Sequence, residues 1–326
     1  MNTLIKVSLT ALIPFGLLAA GAIGNKPANV SITSFQKDST YSTTGLFDVN
    51  TRPVLISKQF LFTEGPAADN KGNVYFTDQP NNAIWKYDTD GKLGLFTNNA
   101  GRSNGMYFDK QGNLLTCADN DNQLWRFSRN GKKVEVILND MNGHKFNGPN
   151  DLWIDGRGGI YFTDPYYQRD YWTRTKTDLD GQKVYYLPKG KTQAIVVADK
   201  LQKPNGIAGS VEGKYLYVAD IKDNKTYRFN INKDASLSNQ ELFTAKGSDG
   251  MTLDEQGNVY LTGGNGVTIY NSQGEKIGVV AIPEPWTANV CFGGKYKNLL
   301  FITASKAIYT MQMKVSGSTK NASKQR

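Results

Sequence analysis

The chain has 326 residues, 39% of them hydrophobic and 11% aromatic, with a formal net charge of +9, one histidine and two cysteines. The charge does not make a nucleic-acid binder: Lys and Arg are scattered and no run of five occurs in the body, the pattern of a solvated basic surface. Cys117 and Cys291 lie far apart, each inside a strand-like apolar run, so two buried thiols are expected rather than a disulfide, and Cys117 as a nucleophile would find only His144 as a base.

In chain order, Lys6 precedes an apolar stretch from Val7 to Gly24 that contains Pro14 and ends in small residues, Ala19 to Ala22. It is expected to be a signal peptide over 1–24. A membrane anchor is the competing reading, since the stretch approaches the roughly 20 residues a spanning helix needs. The small-residue ending and the proline favour cleavage, hence export to a periplasm or the exterior with no membrane attachment afterwards. An N-terminal extension over 25–53 follows, then one domain over 54–312, and a polar tail over 313–326, rich in Lys and Arg, that is expected to be disordered.

Within 54–312 a segment recurs at intervals of about 40 to 55 residues. Four clear copies are Asp69-Asn-Lys-Gly-Asn-Val-Tyr-Phe-Thr-Asp78, Asp109-Lys-Gln-Gly-Asn-Leu-Leu-Thr-Cys117, Asp155-Gly-Arg-Gly-Gly-Ile-Tyr-Phe-Thr-Asp164 and Asp254-Glu-Gln-Gly-Asn-Val-Tyr-Leu-Thr262, and weaker copies begin at Ser210 and Gly294. Each is a polar turn running into a β-branched and aromatic strand, so each turn joins two antiparallel strands. A third, alternating strand follows every copy, for instance Ala83 to Tyr87 and Gln123 to Phe127. A fourth closes the first five units. The sixth lacks one, while Val54 to Phe60 is a strand without a unit of its own, so the chain's start is expected to complete the last sheet and close a ring. The fold predicted is all-β, a six-bladed β-propeller with four antiparallel strands per blade.

In such a ring the innermost strands begin at equivalent places. Five residues before each turn stand Glu64, Asn104, Asn150, Asn205, Asp249 and Asn289, all with side-chain oxygens, several next to Gly or Pro. Asn, Asp and Gly are also ordinary turn formers. Chance does not put six oxygen-bearing residues in phase. Two carboxylates with carboxamides and no His or Cys form a hard donor set for a divalent cation, calcium first and magnesium or manganese next, with zinc a poorer match. A long insertion after Asp164, carrying Tyr166, Tyr167, Tyr171 and Trp172, is expected to be a lid that stacks on a sugar; His144 is placed at the rim.

These residues resemble the gluconolactonase, senescence-marker and luciferin-regenerating-enzyme family, six-bladed propellers that hydrolyse lactones with a divalent metal. The likeness covers about 55 to 312 and is carried by Thr63-Glu-Gly-Pro66, Phe146-Asn-Gly-Pro-Asn-Asp-Leu152, Gly159-Ile-Tyr-Phe-Thr-Asp-Pro165, Lys203-Pro-Asn-Gly206, Ser248-Asp-Gly-Met251 and Asn289-Val-Cys-Phe-Gly-Gly294. It implies that Glu64, Asn205 and Asp249 ligate the metal, that Asn150 joins them or touches a lactone substrate alongside Asn104 and Asn289, and that Asp249 is the base. Animal sugar-lactone members carry an arginine two residues before the position of Asn150. Here that residue is Gly148, which opens the substrate question and leaves Arg102 and Lys145 as replacements. The other readings are a calcium-dependent phosphotriesterase-like hydrolase on the same scaffold, and a non-catalytic sugar- or protein-binding propeller around a structural calcium.

Overall fold

The computed structural model describes residues 45–318 apart from 132 and 265, so the apolar start lies outside the described residues. It contains six antiparallel sheets of four strands each. From the inner strand outward, blade one is Thr63–Ala68, Val74–Asp78, Ala83–Tyr87 and Leu93–Thr97. Blade two is Ser103–Phe108, Leu114–Ala118, Gln123–Phe127 and Val134–Leu138. Blade three is Leu152–Ile154, Ile160–Asp164, Lys183–Leu187 and Ile195–Ala198. Blade four is Pro204–Gly209, Tyr215–Asp220, Lys225–Ile231 and Leu237–Thr244. Blade five is Met251–Leu253, Val259–Gly263, Gly266–Tyr270 and Lys276–Ala281. Blade six takes Thr287–Gly293, Leu299–Ala304 and Ala307–Gln312 from the end of the chain, and its outer strand, Val54–Ser57, from the start.

That last pairing, with Val54 opposite Thr310 and Leu55 opposite Tyr309, is the ring closure expected from the unpaired early strand. The repeated turn has a local cause. Asp69 Oδ1 accepts the N–H groups of Lys71 (2.8 Å) and Asn73 (3.0 Å), and Asn73 Nδ2 donates to Asp69 Oδ2 (2.7 Å). Asp109 and Asp254 repeat the arrangement with Asn113 and Asn258, which is why the Asp-x-x-Gly-Asn pattern recurs. At Gly72, with φ +96°, the turn needs a residue without Cβ.

The core lies between blades. Leu115, Cys117 and Leu124 of blade two, for example, pack against Phe146, Leu152, Ile160, Phe162 and Tyr185 of blade three and its approach. Each such side chain contributes about 1.5 to 3 kcal/mol on burial. Both cysteines are free, Cys117 buried as expected and Cys291 only half-buried.

Both ends of the domain extend further than the strand pattern suggests. Met313 and Val315, inside the stretch expected to be a disordered tail, are buried with Leu46 and Phe47 against blades five and six. Lys314 pairs with Asp48 at 2.6 Å, and the Ser318 N–H donates to Leu253 O at 2.9 Å. The physical reason is alternation: Met311, Met313 and Val315 continue the inward face of the last strand, so 313–318 packs rather than dangles. Phe47→Ala is expected to destabilise the protein by about 3 kcal/mol, read as a lowered urea midpoint. An unchanged midpoint would mean that this segment is not held against the last blades.

Candidate active site

Glu64, Asn104 and Asn205 are the second residues of their inner strands, Asn289 is the third of its own, and Asn150 and Asp249 stand two residues ahead of theirs. Three devices bring them together. The first is backbone proximity. A Cβ on Gly65 would lie 2.0 Å from Asn104 O, and one on Gly250 would lie 2.0 Å from Asn289 Cγ. Gly105 and Gly206 stand in the same relation to Asn150 and Asp249, so a glycine after the ring residue lets the next blade approach.

The second device is a buried threonine on the second strand. Thr163 Oγ1 donates to Asn205 O (2.7 Å), Thr77 Oγ1 to Asn104 O (3.3 Å) and Thr262 Oγ1 to Ala288 O (2.7 Å), each bond crossing to the next blade. The third is the aspartate ending the second strand. Asp78 accepts the N–H groups of Leu61 and Phe62, Asp164 those of Asn147 and Gly148, and Asp220 those of Gln202 and Lys203. Each clamps the main chain two and three residues ahead of a ring residue.

The ring's electrostatics follow from burial. Glu64, Asn104, Asn150, Asn205 and Asn289 are buried and Asp249 is half-buried. Asn205 Nδ2 donates to Asp249 Oδ1 at 2.8 Å, and Trp286 Nε1 donates to Asp249 Oδ2 at 2.6 Å. Burial nonetheless pushes Asp249 up to about 6, against the lowering effect of those two donors. Burial, then the charge of Asp249, holds Glu64 well above the usual carboxylate range. A third acid, Asp151, is pushed up to about 7 by burial, against the lowering effect of the Asn289 amide, which acts on Glu64 as well. Asp151 and Trp286 were not legible as site residues: Asp151 occupies the place glycine holds in four other blades, and Trp286 lies in an unrepeated connection.

The insertion of blade three, 165–182, lies against this end of the ring. Tyr167 OH accepts from Asn205 Nδ2 at 2.9 Å. Tyr171 OH and Arg169 Nε (2.7 Å) both bond Asp119 Oδ2, and Trp172 Nε1 donates to Asp119 O (2.9 Å). Asp119 sits one residue past the second strand of its blade, so it is released from clamping duty and anchors the insertion instead. Guanidinium groups cover one ring face each, Arg102 on Tyr171 (4.3 Å) and Arg174 on Trp172 (4.4 Å). Tyr166 turns outward to a cavity, and His144 is exposed on a turn paired with Met141, with no hydrogen bond to the ring.

Gly148 has a steric explanation. A Cβ there would stand 2.9 Å from Asp119 Oδ1 and 3.1 Å from Trp172, so the insertion fills the space where a longer side chain would go. Arg102 is committed to Tyr171 and Lys145 is exposed, so neither supplies the missing cation. Arg169 is bonded to Asp119, and its charge acts on both Glu64 and Asp249. Its place inside a long loop hid it from the repeat.

The family model for the SMP-30/Gluconolactonase/LRE-like region matches residues 62–306, which span all six blades. The chain belongs to that family. Among proteins similar to it, a gluconolactonase of Zymomonas mobilis subsp. mobilis is 26% identical over 302 residues, 83% of this chain and 84% of that one. A gluconolactonase structure from Xanthomonas campestris superposes with a TM-score of 0.78 at 23% identity, covering 84% of this chain and 93% of the other. Regucalcin from Agrobacterium tumefaciens, described as a calcium-binding protein, gives 0.67 at 18%, covering 81% and 94%. At these identities the two structures show the shared fold.

The donor set can be tested for a cation on its own chemistry. Asn205 Oδ1 is buried without a hydrogen-bond partner, while the same amide's nitrogen is used twice. An oxygen left bare beside two carboxylates that resist ionising together fits a hard cation. Among the described residues no three His, Cys, Asp or Glu side chains form a ligand cluster, so carboxamide oxygens would have to complete the set. A linkage prediction follows. With Asp249 raised from 3.8 to about 6, the native metal-free protein binds more protons than the unfolded chain in that window, so its stability falls as pH rises through it. Saturating calcium is expected to raise the calorimetric Tm more at about pH 7.5 than at about pH 5, because protons compete for the same oxygens. An equal gain at both would place the cation elsewhere.

Proposed function

We propose that this protein hydrolyses a small lactone at the ring, with Asp249 as the base. The activity named for the Zymomonas mobilis relative supports this reading. The observation that carries it is the pairing of Asp249, gripped through both oxygens by Asn205 and Trp286, with the bare Asn205 Oδ1. Glu64, Asn150, Asn205 and Asp249 would hold the divalent cation, calcium by the hardness of four oxygen donors, and when bound it supplies Lewis-acid polarisation of a carbonyl.

The side chains account for the proton traffic. The two donors fix the plane of the Asp249 carboxylate, which takes a proton from water as the water oxygen bonds to the carbonyl carbon. The bond from that carbon to the ring oxygen breaks, and the departing alkoxide takes the proton back. The product is an open-chain hydroxy acid that ionises and releases one proton to solvent. Tyr167, whose hydroxyl burial keeps neutral, accepts from Asn205 and retains its own proton to bond a substrate oxygen.

Proton release from glucono-1,5-lactone, corrected for spontaneous opening, is the test. Asp249→Asn is expected to lower kcat by about 100-fold or more, and removal of divalent ions by a chelator to abolish turnover until calcium is returned. Activity indifferent to both would falsify the assignment. Turnover of a phosphotriester with none of any lactone would replace it by the phosphotriesterase reading.

A further inference from the structure

A cavity of about 440 Å³ opens between the insertion and blade four, lined by Tyr166, Thr177, Gly181, Gln182, Lys203 and Lys222. Its two lysines are held side by side, because the Ile221 N–H donates to Lys203 O at 3.1 Å. Neither has a carboxylate of its own among the described residues. Asp220 spends its oxygens on the N–H groups of Gln202, Lys203 and Asp223, and Asp223, next to Lys222 in sequence, is paired with Lys225 at 2.9 Å. Lys222 and Arg169 both repel the Lys203 ammonium, and Arg169 is itself committed to Asp119. A second cavity, of about 220 Å³ beside Ser210 and Arg228, lacks this pattern, since Arg228 is bridged to Glu241.

Unpaired like charges facing one cleft raise the energy of the empty protein, and an anion placed between them relieves it. The cleft is joined to the ring through Lys203 and Tyr167. Lys203 Nζ lies 4.1 Å from the centre of the Tyr167 ring, whose hydroxyl accepts from Asn205 at 2.9 Å. Lys203 stands just ahead of the strand Pro204–Gly209, two residues from Asn205, a span of at most roughly 7 Å along the main chain, the scale of one sugar.

We propose, resting on the lactonase reading, that the substrate is an anionic lactone whose carboxylate or phosphate substituent enters this cleft and is held by Lys203 and Lys222. Its carbonyl then faces Asn205 and Asp249, and Tyr167 lies between the two ends. The sugar is thus selected by a charge remote from the reacting bond.

The test compares kcat/KM for glucono-1,5-lactone, for its 6-phosphate and for a glucarolactone bearing a carboxylate. An anionic lactone is expected to be favoured by about tenfold or more, mainly through KM, with Lys222→Gln and Lys203→Gln each cutting that ratio about tenfold and added salt eroding it. Whichever anion is favoured names the substituent. Preference for the neutral lactone, or a ratio untouched by Lys222→Gln, overturns the proposal while leaving the lactonase reading intact. If no lactone is opened, that reading fails, and the cleft is judged by calorimetric binding of 6-phosphogluconate: roughly tenfold weaker binding in Lys222→Gln supports it, and absence of binding to the unaltered protein overturns it.

Discussion

The closeness with which six strand starts meet around one centre governs the rest of the molecule. Side chains cannot be accommodated at every contact, so Gly65, Gly105, Gly206 and Gly250 leave their positions bare where Asn104, Asn150, Asp249 and Asn289 come against them. The main chain so exposed needs hydrogen bonds that its own sheet does not supply. Buried Thr77, Thr163 and Thr262 provide them across blades, and Asp78, Asp164 and Asp220 fix the approach of each strand. The oxygens of the ring therefore rest on a scaffold of backbone contacts rather than on flexible loops.

Crowding acids into that space has an electrostatic consequence. Asp249, Glu64 and Asp151 are all displaced upward by burial, with Glu64 further raised by Asp249. Left alone, such a cluster works against folding at neutral pH. The hydrophobic contacts between blades, and the chain ends that seal the last two of them, offset that cost; a cation or a protein-held proton reduces it at the source.

Asp119 ties the insertion to this scheme. Shifted by one residue from the clamping aspartates, it gathers Arg169, Tyr171 and Trp172 and so carries an insertion of blade three onto blade two. Trp172 then occupies the space beside Gly148, and Arg169 brings a positive charge to the ring from a different part of the chain.

The sequence by itself determined the periodic part of this protein. Turn chemistry at Asp-x-x-Gly-Asn, the alternation of the strands and a count of five residues back from each turn were enough for six blades, their closure by Val54–Ser57 and a ring from Glu64 to Asn289. All of these are local or repeated signals, and repetition averages away the ambiguity of any single copy. Tertiary structure decided what occurs once. Asp151 beside Asn289, Trp286 on Asp249, Arg169 on Asp119 and the paired Lys203 and Lys222 are meetings between unrelated segments, with no period to announce them. The packing of Met313 and Val315 with Phe47 is of the same kind, since a short apolar alternation gains its energy only from a surface that exists once the blades have closed.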